Sequence, residues 1–233
     1  MVLDMPDFIA RARVADVPIT HSWDDADPGK AYLTPDEALQ DRIDRTSDRG
    51  VIALSLGFAE WIAWRFRFDP SHLTLLQVIE AGWAAEVDWR YLSTVVEKLH
   101  WKEWHGPVRG PICASVKLVR DVIRLIRTGQ FASPEAVCLS RLVLYVLPNS
   151  ELFKEWRRFA IRRLSEVNSS KQSEVLGKPI PREALNPEWP YSPKDANRLL
   201  MEYVRRLKHS ENPYLASPQA MKKAGFEGRP YND

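Results

Sequence analysis

The stretch VIALSLGFAEWIAWRFRF, residues 51–68, decides the fold class because it is apolar almost all the way round a helix. Its charged groups do not form a face of their own, since Glu60 and Arg67 project together and Arg65 projects nearly opposite them. A helix of this kind is typical of the centre of a bundle, where neighbouring helices cover every side. Its polar residues also interrupt the run too often for a membrane span.

Helical periodicity continues on both sides of this stretch, and strand-type alternation is absent. Proline and glycine residues separate the helical segments, and one segment has a predicted break near Gly82 or Asp88. Further helices are predicted at 34–48, 73–99, 112–127, 133–147, 151–167, from 192 onward and at 217–225. The pattern predicts an all-α protein, either a globular multi-helix bundle or an irregular stack of helical hairpins.

The same breaks divide the chain into four parts. Residues 1–33 contain several prolines and are predicted to be an irregular N-terminal segment, followed by a main helical domain at 34–167. Residues 168–193 are rich in serine, proline and asparagine and are predicted to be a connecting loop. Residues 194–233 are predicted to form C-terminal helices packed on the main domain.

Composition indicates an ordinary globular protein, with 45% hydrophobic and 27% charged residues in a chain of 233. Nine tryptophans predict an aromatic-rich core or face. Cys113 and Cys138 lie in apolar helical contexts, which predicts reduced core thiols. Residues 1–15 carry two aspartates and lack the basic region and apolar stretch of a signal peptide. We therefore expect a soluble, cytoplasmic protein.

The formal net charge of +2 hides an asymmetry between the two parts of the chain. Residues 1–100 hold 10 Lys and Arg against 17 Asp and Glu, a net charge of −7. Residues 101–233 hold 23 against 14, a net charge of +9. The asymmetry predicts either self-complementary packing or a basic surface that meets a partner.

Two segments contain the residue types of metal sites. Residues 21–27, HSWDDAD, combine one imidazole with three carboxylates, but they lack the turn glycine and late bidentate carboxylate of a calcium loop. His100 and His105 are five residues apart and diverge by roughly 140° on a helix, unlike the i,i+4 pairs of zinc helices. We expect an acidic surface loop at 21–27, and neither a metal nor a cofactor.

Signatures of catalysis are absent from the sequence: it has no Gly-x-Ser-x-Gly elbow, Ser-x-x-Lys set, Walker-type phosphate loop or dinucleotide fingerprint. This weighs against an enzyme without excluding one. Glu60 has two interpretations because its helix is so apolar. A raised pKa would suit a general acid or base, whereas a structural carboxylate would be neutralised by a partner, for which Arg67 lies on the same side.

Basic residues form a more distinct pattern than the metal-like or catalytic residue types do. Four of them fall within about 80° on one face of the helix predicted at 112–127, opposite its apolar face. Such a face meets phosphates or an acidic protein, or is merely solvated. Arg163 differs because it projects from the apolar side of its helix, where it snorkels, pairs with a carboxylate or anchors an interface. The candidate partner-binding residues are Lys117, Arg120, Arg124, Arg127, Arg157, Arg158 and Arg163.

Three segments carry a resemblance: GPVRGP at 106–111, PREAL at 181–185, and 212–226, which begins NPY and ends AGF. With the helical pattern, they resemble uncharacterised all-helical bacterial proteins encoded beside secreted toxins, of the immunity-protein type. The resemblance implies a role in neutralising a cognate toxin and no catalytic site. The matching segments are breaks and turns between helices, and they include no function-specific residue.

Three hypotheses of different classes follow. The first is a non-catalytic bacterial protein-binding protein, of the immunity type, which aromatic and arginine content suits. The second is a nucleic-acid-binding or regulatory protein that uses the basic C-terminal half, although no helix-turn-helix or RNA-binding signature is present. The third is an enzyme with an unrecognised helical active site.

Overall fold

The computed structural model describes residues 3–94, 103–170 and 176–231, and these contain nine α-helices and no β-strand. Two isolated antiparallel bridges, Thr46 with Ser169 and Leu92 with Leu215, are the remaining ladder contacts among these residues. The helices are α1 Asp7–Ala12, α2 Glu37–Ile43, α3 Asp48–Arg65, α4 His72–Ala85, α5 Gly106–Arg127, α6 Ser133–Val146, α7 Glu151–Val167, α8 Ala196–Arg206 and α9 Pro218–Lys223. The predicted all-α, multi-helix fold is confirmed.

Helix α3 lies at the centre of the bundle and packs against α4, α5, α6 and α7. Every residue from Arg49 to Ala63 is buried, as a helix without a polar face requires. Ser47 begins the helix, because its side chain accepts a hydrogen bond from the Gly50 backbone N–H at 3.3 Å. Within the described part of the chain, no helix is both long and apolar enough to cross a membrane.

Helix α4 continues through Gly82 and ends at Ala85, so the predicted break lies at Asp88. Gly82 faces Leu56 of α3 so closely that a Cβ at this position would overlap the leucine side chain. The glycine therefore serves the close approach of two helices. Asp88 accepts a hydrogen bond from the Arg90 N–H at 2.8 Å and begins a 3₁₀ turn.

Helix α5 begins at Gly106, six residues earlier than the predicted start at 112. Pro111 lies inside its first turns and has no N–H, so the carbonyl of Pro107 lacks its intrahelical donor. The Nε2 of His21 lies 2.7 Å from that carbonyl oxygen and replaces the donor. Asp25 accepts from the Gly106 N–H at 2.9 Å. The second proline is thus accommodated by a loop more than 80 residues away in sequence.

The segments outside the central bundle pack onto it. The N-terminal segment predicted as irregular includes α1, whose Ile9 is fully buried. The connection after α7 forms a 3₁₀ turn at Arg182–Leu185 that contacts α3 and α7. Helix α8 buries five hydrophobic side chains and packs against α4.

Candidate binding site

Helix α5 presents the predicted basic face. Its apolar side, which includes Val116, Val119, Ile123 and Ile126, is buried against the neighbouring helices. Lys117, Arg124 and Arg127 are exposed on the other side, and Arg120 is partly exposed. The amphipathic pattern therefore has the orientation that the sequence predicts.

Counter-charges on this face are few. Arg124 pairs with Asp121 at 3.2 Å, one turn away on the same helix. Lys117 and Arg120 form no ion pair with any residue that the structure describes. Arg127 lies 6.0 Å from the centroid of the Trp89 ring, within cation–π range. Four cations against one carboxylate leave the face with a net positive charge.

The candidate residues on α7 have three different environments. Arg157 is half-buried and donates to the Ser140 hydroxyl at 2.7 Å, and burial lowers the pKa of its guanidinium. Arg158 is exposed. No described hydrogen bond, ion pair or ring contact links these residues to the basic face of α5.

Arg163 is held by backbone carbonyls rather than by a carboxylate. Its Nη1 donates to the carbonyl oxygens of Asn186 at 2.9 Å and Ala184 at 3.3 Å. The guanidinium also lies 4.2 Å from the centroid of the Phe159 ring. Burial lowers its pKa, which stays far above neutrality for an arginine. Arg163 therefore fastens the loop after Arg182–Leu185 to α7.

Glu60 pairs with Arg182, so the prediction that Arg67 neutralises it is wrong. The Arg182 guanidinium donates to Glu60 Oε2 from Nη2 at 2.6 Å and to Oε1 from Nε at 2.8 Å. Trp83 donates its indole N–H to Oε1 at 3.2 Å. Arg67 instead reaches Asp16 at 3.1 Å. Sequence reasoning missed Arg182 because it lies 122 residues from Glu60, and no periodic signal connects them.

Residues 21–27 form a loop that hydrogen-bonds to the start of α5. His21 and Asp25 serve the start of α5, and Asp24 accepts from Lys30 at 3.2 Å. Burial lowers the pKa of His21. In the described ranges, no three histidine, cysteine or carboxylate side chains are grouped for a metal ion. The other histidine candidate includes His100, which lies outside the described residues.

Cys113 and Cys138 are both free thiols and both half-buried. Burial raises the pKa of each thiol above its ordinary value. Since the thiolate is the reactive form, both side chains are held in the less reactive state at neutral pH.

No family model, no curated protein and no solved structure matches this chain. The resemblance to immunity-type proteins therefore stays a prediction. One of its segments, 106–111, forms the first turns of α5, and another, 181–185, contains the arginine that pairs with Glu60. Both have clear structural roles in this fold.

Proposed function

We propose that this is a non-catalytic, cytoplasmic bacterial protein that binds an acidic protein partner through the basic face of α5. The mode of action is stoichiometric binding, as in an immunity protein that neutralises a cognate toxin. The observation that carries the proposal is the pair Lys117 and Arg120, which have no described counter-charge on a helix anchored along its other side. Such charges add little to folding but steer association with a complementary surface.

An exposed aromatic residue follows α5 in the sequence. Phe131 follows α5 in the short connection to α6, four residues after Arg127, and its exposed fraction is 68%. Binding hot spots often combine aromatic anchors with arginines, and this segment of the chain contains both residue types. This combination supports a protein partner.

The number of cations also favours a protein over nucleic acid. The face has four cations and one carboxylate, Asp121. Tight nucleic-acid binding typically uses roughly 6–10 phosphate contacts. A smaller set of charges suffices to orient a protein complex whose affinity comes mainly from other contacts.

Charge reversal tests the proposal. The tagged protein, the variant Lys117→Glu/Arg120→Glu and the control Lys222→Glu/Lys223→Glu are used to capture partners from nuclease-treated lysate of the native cell. The control makes the same change in net charge at two exposed lysines near the end of α9. We expect the wild type and control to retain one protein at one-to-one stoichiometry, and the α5 variant to bind it roughly tenfold more weakly.

Two results would contradict the proposal. Equal capture by all three proteins would place the interface away from α5. Failure to capture any protein, with submicromolar DNA or RNA retardation at about 0.15 M salt, would establish the nucleic-acid alternative. Circular dichroism and the melting temperature verify that each variant is folded.

A further inference from the structure

A cavity of about 260 Å³ lies between N-terminal residues 4–8, helices α3 and α7, and the loop that follows Pro181. Gly57 and Glu60 line it from α3, and Trp156 lines it from α7. None of its residues belongs to α5, so the cavity is separate from the basic face.

Three aromatic residues, Phe8, Trp156 and Trp189, are among those that line the cavity. Phe8 and Trp156 are stacked, with ring centroids 5.6 Å apart and planes inclined by 12°. The indole N–H of Trp156 already donates to the carbonyl oxygen of Leu185 at 2.9 Å, so it is not free for a ligand. Trp189 also lines the cavity, and its exposed fraction is 43%. A wall of this kind offers π-electron surface and few free hydrogen-bond donors.

The lining charges are predominantly negative. Four carboxylates and one guanidinium line the cavity, a formal balance of −3. Glu60 and Arg182 neutralise each other through two hydrogen bonds, which removes the cation from the balance. Asp4, Asp7 and Glu183 remain, and their side chains form no ion pair with a residue that the structure describes. The net negative charge of these lining residues favours a cation over an anion.

We propose that this cavity binds an organic cation, a guanidinium or alkylammonium group on an aliphatic stem. Aromatic faces attract such cations electrostatically, and the carboxylates select the sign of the charge. The volume of 260 Å³ is just below the roughly 300–1,000 Å³ of sites for drug-sized ligands, so one side-chain-sized group fits. A nucleotide is excluded by both its size and its charge.

Calorimetric titration of the full chain tests this chemistry with three probes. Agmatine presents a free guanidinium, blocked Gly-Arg-Gly presents the same group on a peptide, and blocked Gly-citrulline-Gly is its neutral isostere. We expect both cations to bind, and the citrulline peptide to bind at least about tenfold more weakly than its arginine counterpart. Equal binding of the two peptides, or no binding of either cation at about 10 mM, would overturn the proposal.

Variants locate the bound cation. Trp189→Ala removes an exposed ring, and Glu183→Gln removes a carboxylate while keeping its shape. Each is expected to weaken agmatine binding by about three- to tenfold, since single exposed cation–π or charge contacts contribute at this level. Phe68→Ala is the matched control, because Phe68 is 73% exposed and does not line the cavity. Wild-type affinity in both cavity variants would overturn the assignment.

The two cationic probes also distinguish the source of the ligand. Tighter binding of agmatine indicates a free small molecule as the natural ligand. Tighter binding of the arginine peptide indicates a side chain presented by another protein. Either result supports the proposed chemistry, and neither depends on the interface at α5.

Discussion

Buried charged side chains in this protein are stabilised by groups far away in the sequence. Arg65, at the end of the most apolar helix, donates to the carbonyl oxygens of Val14, Val17, Pro18 and Val146 at 2.6–3.2 Å. It has no carboxylate partner in the described part of the chain. Carbonyl oxygens satisfy its donors, so the arginine fastens the N-terminal segment to the end of α3.

Glu60 provides the test at this scale. Glu60→Leu leaves Arg182 with its charge largely buried and without a counter-ion, and we expect the free energy of unfolding to fall by about 3 kcal/mol. Arg67→Ala removes the more exposed pair with Asp16 and should cost less than about 1 kcal/mol. Urea unfolding measures both variants. A comparable loss of stability in the two variants would show that the Glu60–Arg182 pair stabilises the fold no more than the exposed Arg67–Asp16 pair does.

At the scale of helices, small residues and capping groups decide how the elements meet. The contact of α3 with α4 depends on Gly82, which admits the Leu56 side chain. The start of α5 depends on two side chains from a distant loop. His21 hydrogen-bonds to the Pro107 carbonyl oxygen, and Asp25 accepts from the Gly106 N–H. In both places, neighbouring residues in the sequence determine that a helix forms. Residues far away in the sequence supply the contact that positions it.

Gly82→Ala tests the helix contact. The new methyl group overlaps Leu56, so we expect a loss of about 1–3 kcal/mol in the free energy of unfolding. Leu56→Ala alone should cost about 2–5 kcal/mol, because it leaves a cavity in the core.

The double variant Gly82→Ala/Leu56→Ala is the control for this mechanism. Its cost should be smaller than the sum of the single costs, because the truncated leucine makes room for the methyl group. Strict additivity in urea unfolding would show that the overlap with Leu56 is not the cause.

At the scale of the whole molecule, long-range hydrogen bonds join both ends of the described chain to the bundle. Arg182 donates to the carbonyl oxygen of Asp4 at 2.6 Å. Tyr91 donates its hydroxyl to the carbonyl oxygen of Pro230 at 2.7 Å, and the Ala216 N–H donates to the Tyr91 carbonyl at 2.8 Å. The terminal segments are thus part of the folded unit.

Global stability should depend on pH through Glu86, a fully buried carboxyl group beside Arg49 and the Ile180 N–H. Burial raises its pKa from 4.5 to about 7, and Arg49 offsets this only in part. The folded state therefore binds the proton more tightly than the unfolded state. The resulting stabilisation is complete below the unfolded pKa and is lost as pH rises through about 7.

Chemical denaturation of the wild type and Glu86→Gln across this range measures the effect. Between pH 5 and 8 the wild type should lose roughly 1–3 kcal/mol relative to the variant, in which the titration is removed. The comparison cancels the opposite contribution of His21, whose lowered pKa destabilises the fold as pH falls. Parallel pH curves for the two proteins would contradict the assignment to Glu86.

The amino-acid sequence by itself determined the all-helical class, the central position of α3 and the orientation of the basic face of α5. These features depend on the spacing of apolar and charged residues within one helix, and helical geometry turns that spacing directly into faces. The same reasoning predicted a break near Gly82 or Asp88, and the structure selects Asp88, where a side-chain cap begins the next turn.

Only the tertiary structure decided the partner of Glu60, the carbonyl contacts of Arg65 and Arg163, the start of α5 at Gly106 and the aromatic cavity. The groups that meet there come from separate parts of the chain; Glu60 and Arg182, for example, are 122 residues apart. Hydrogen bonds and ring contacts depend on distances of a few ångströms, which the packing of the helices sets and no local periodicity encodes.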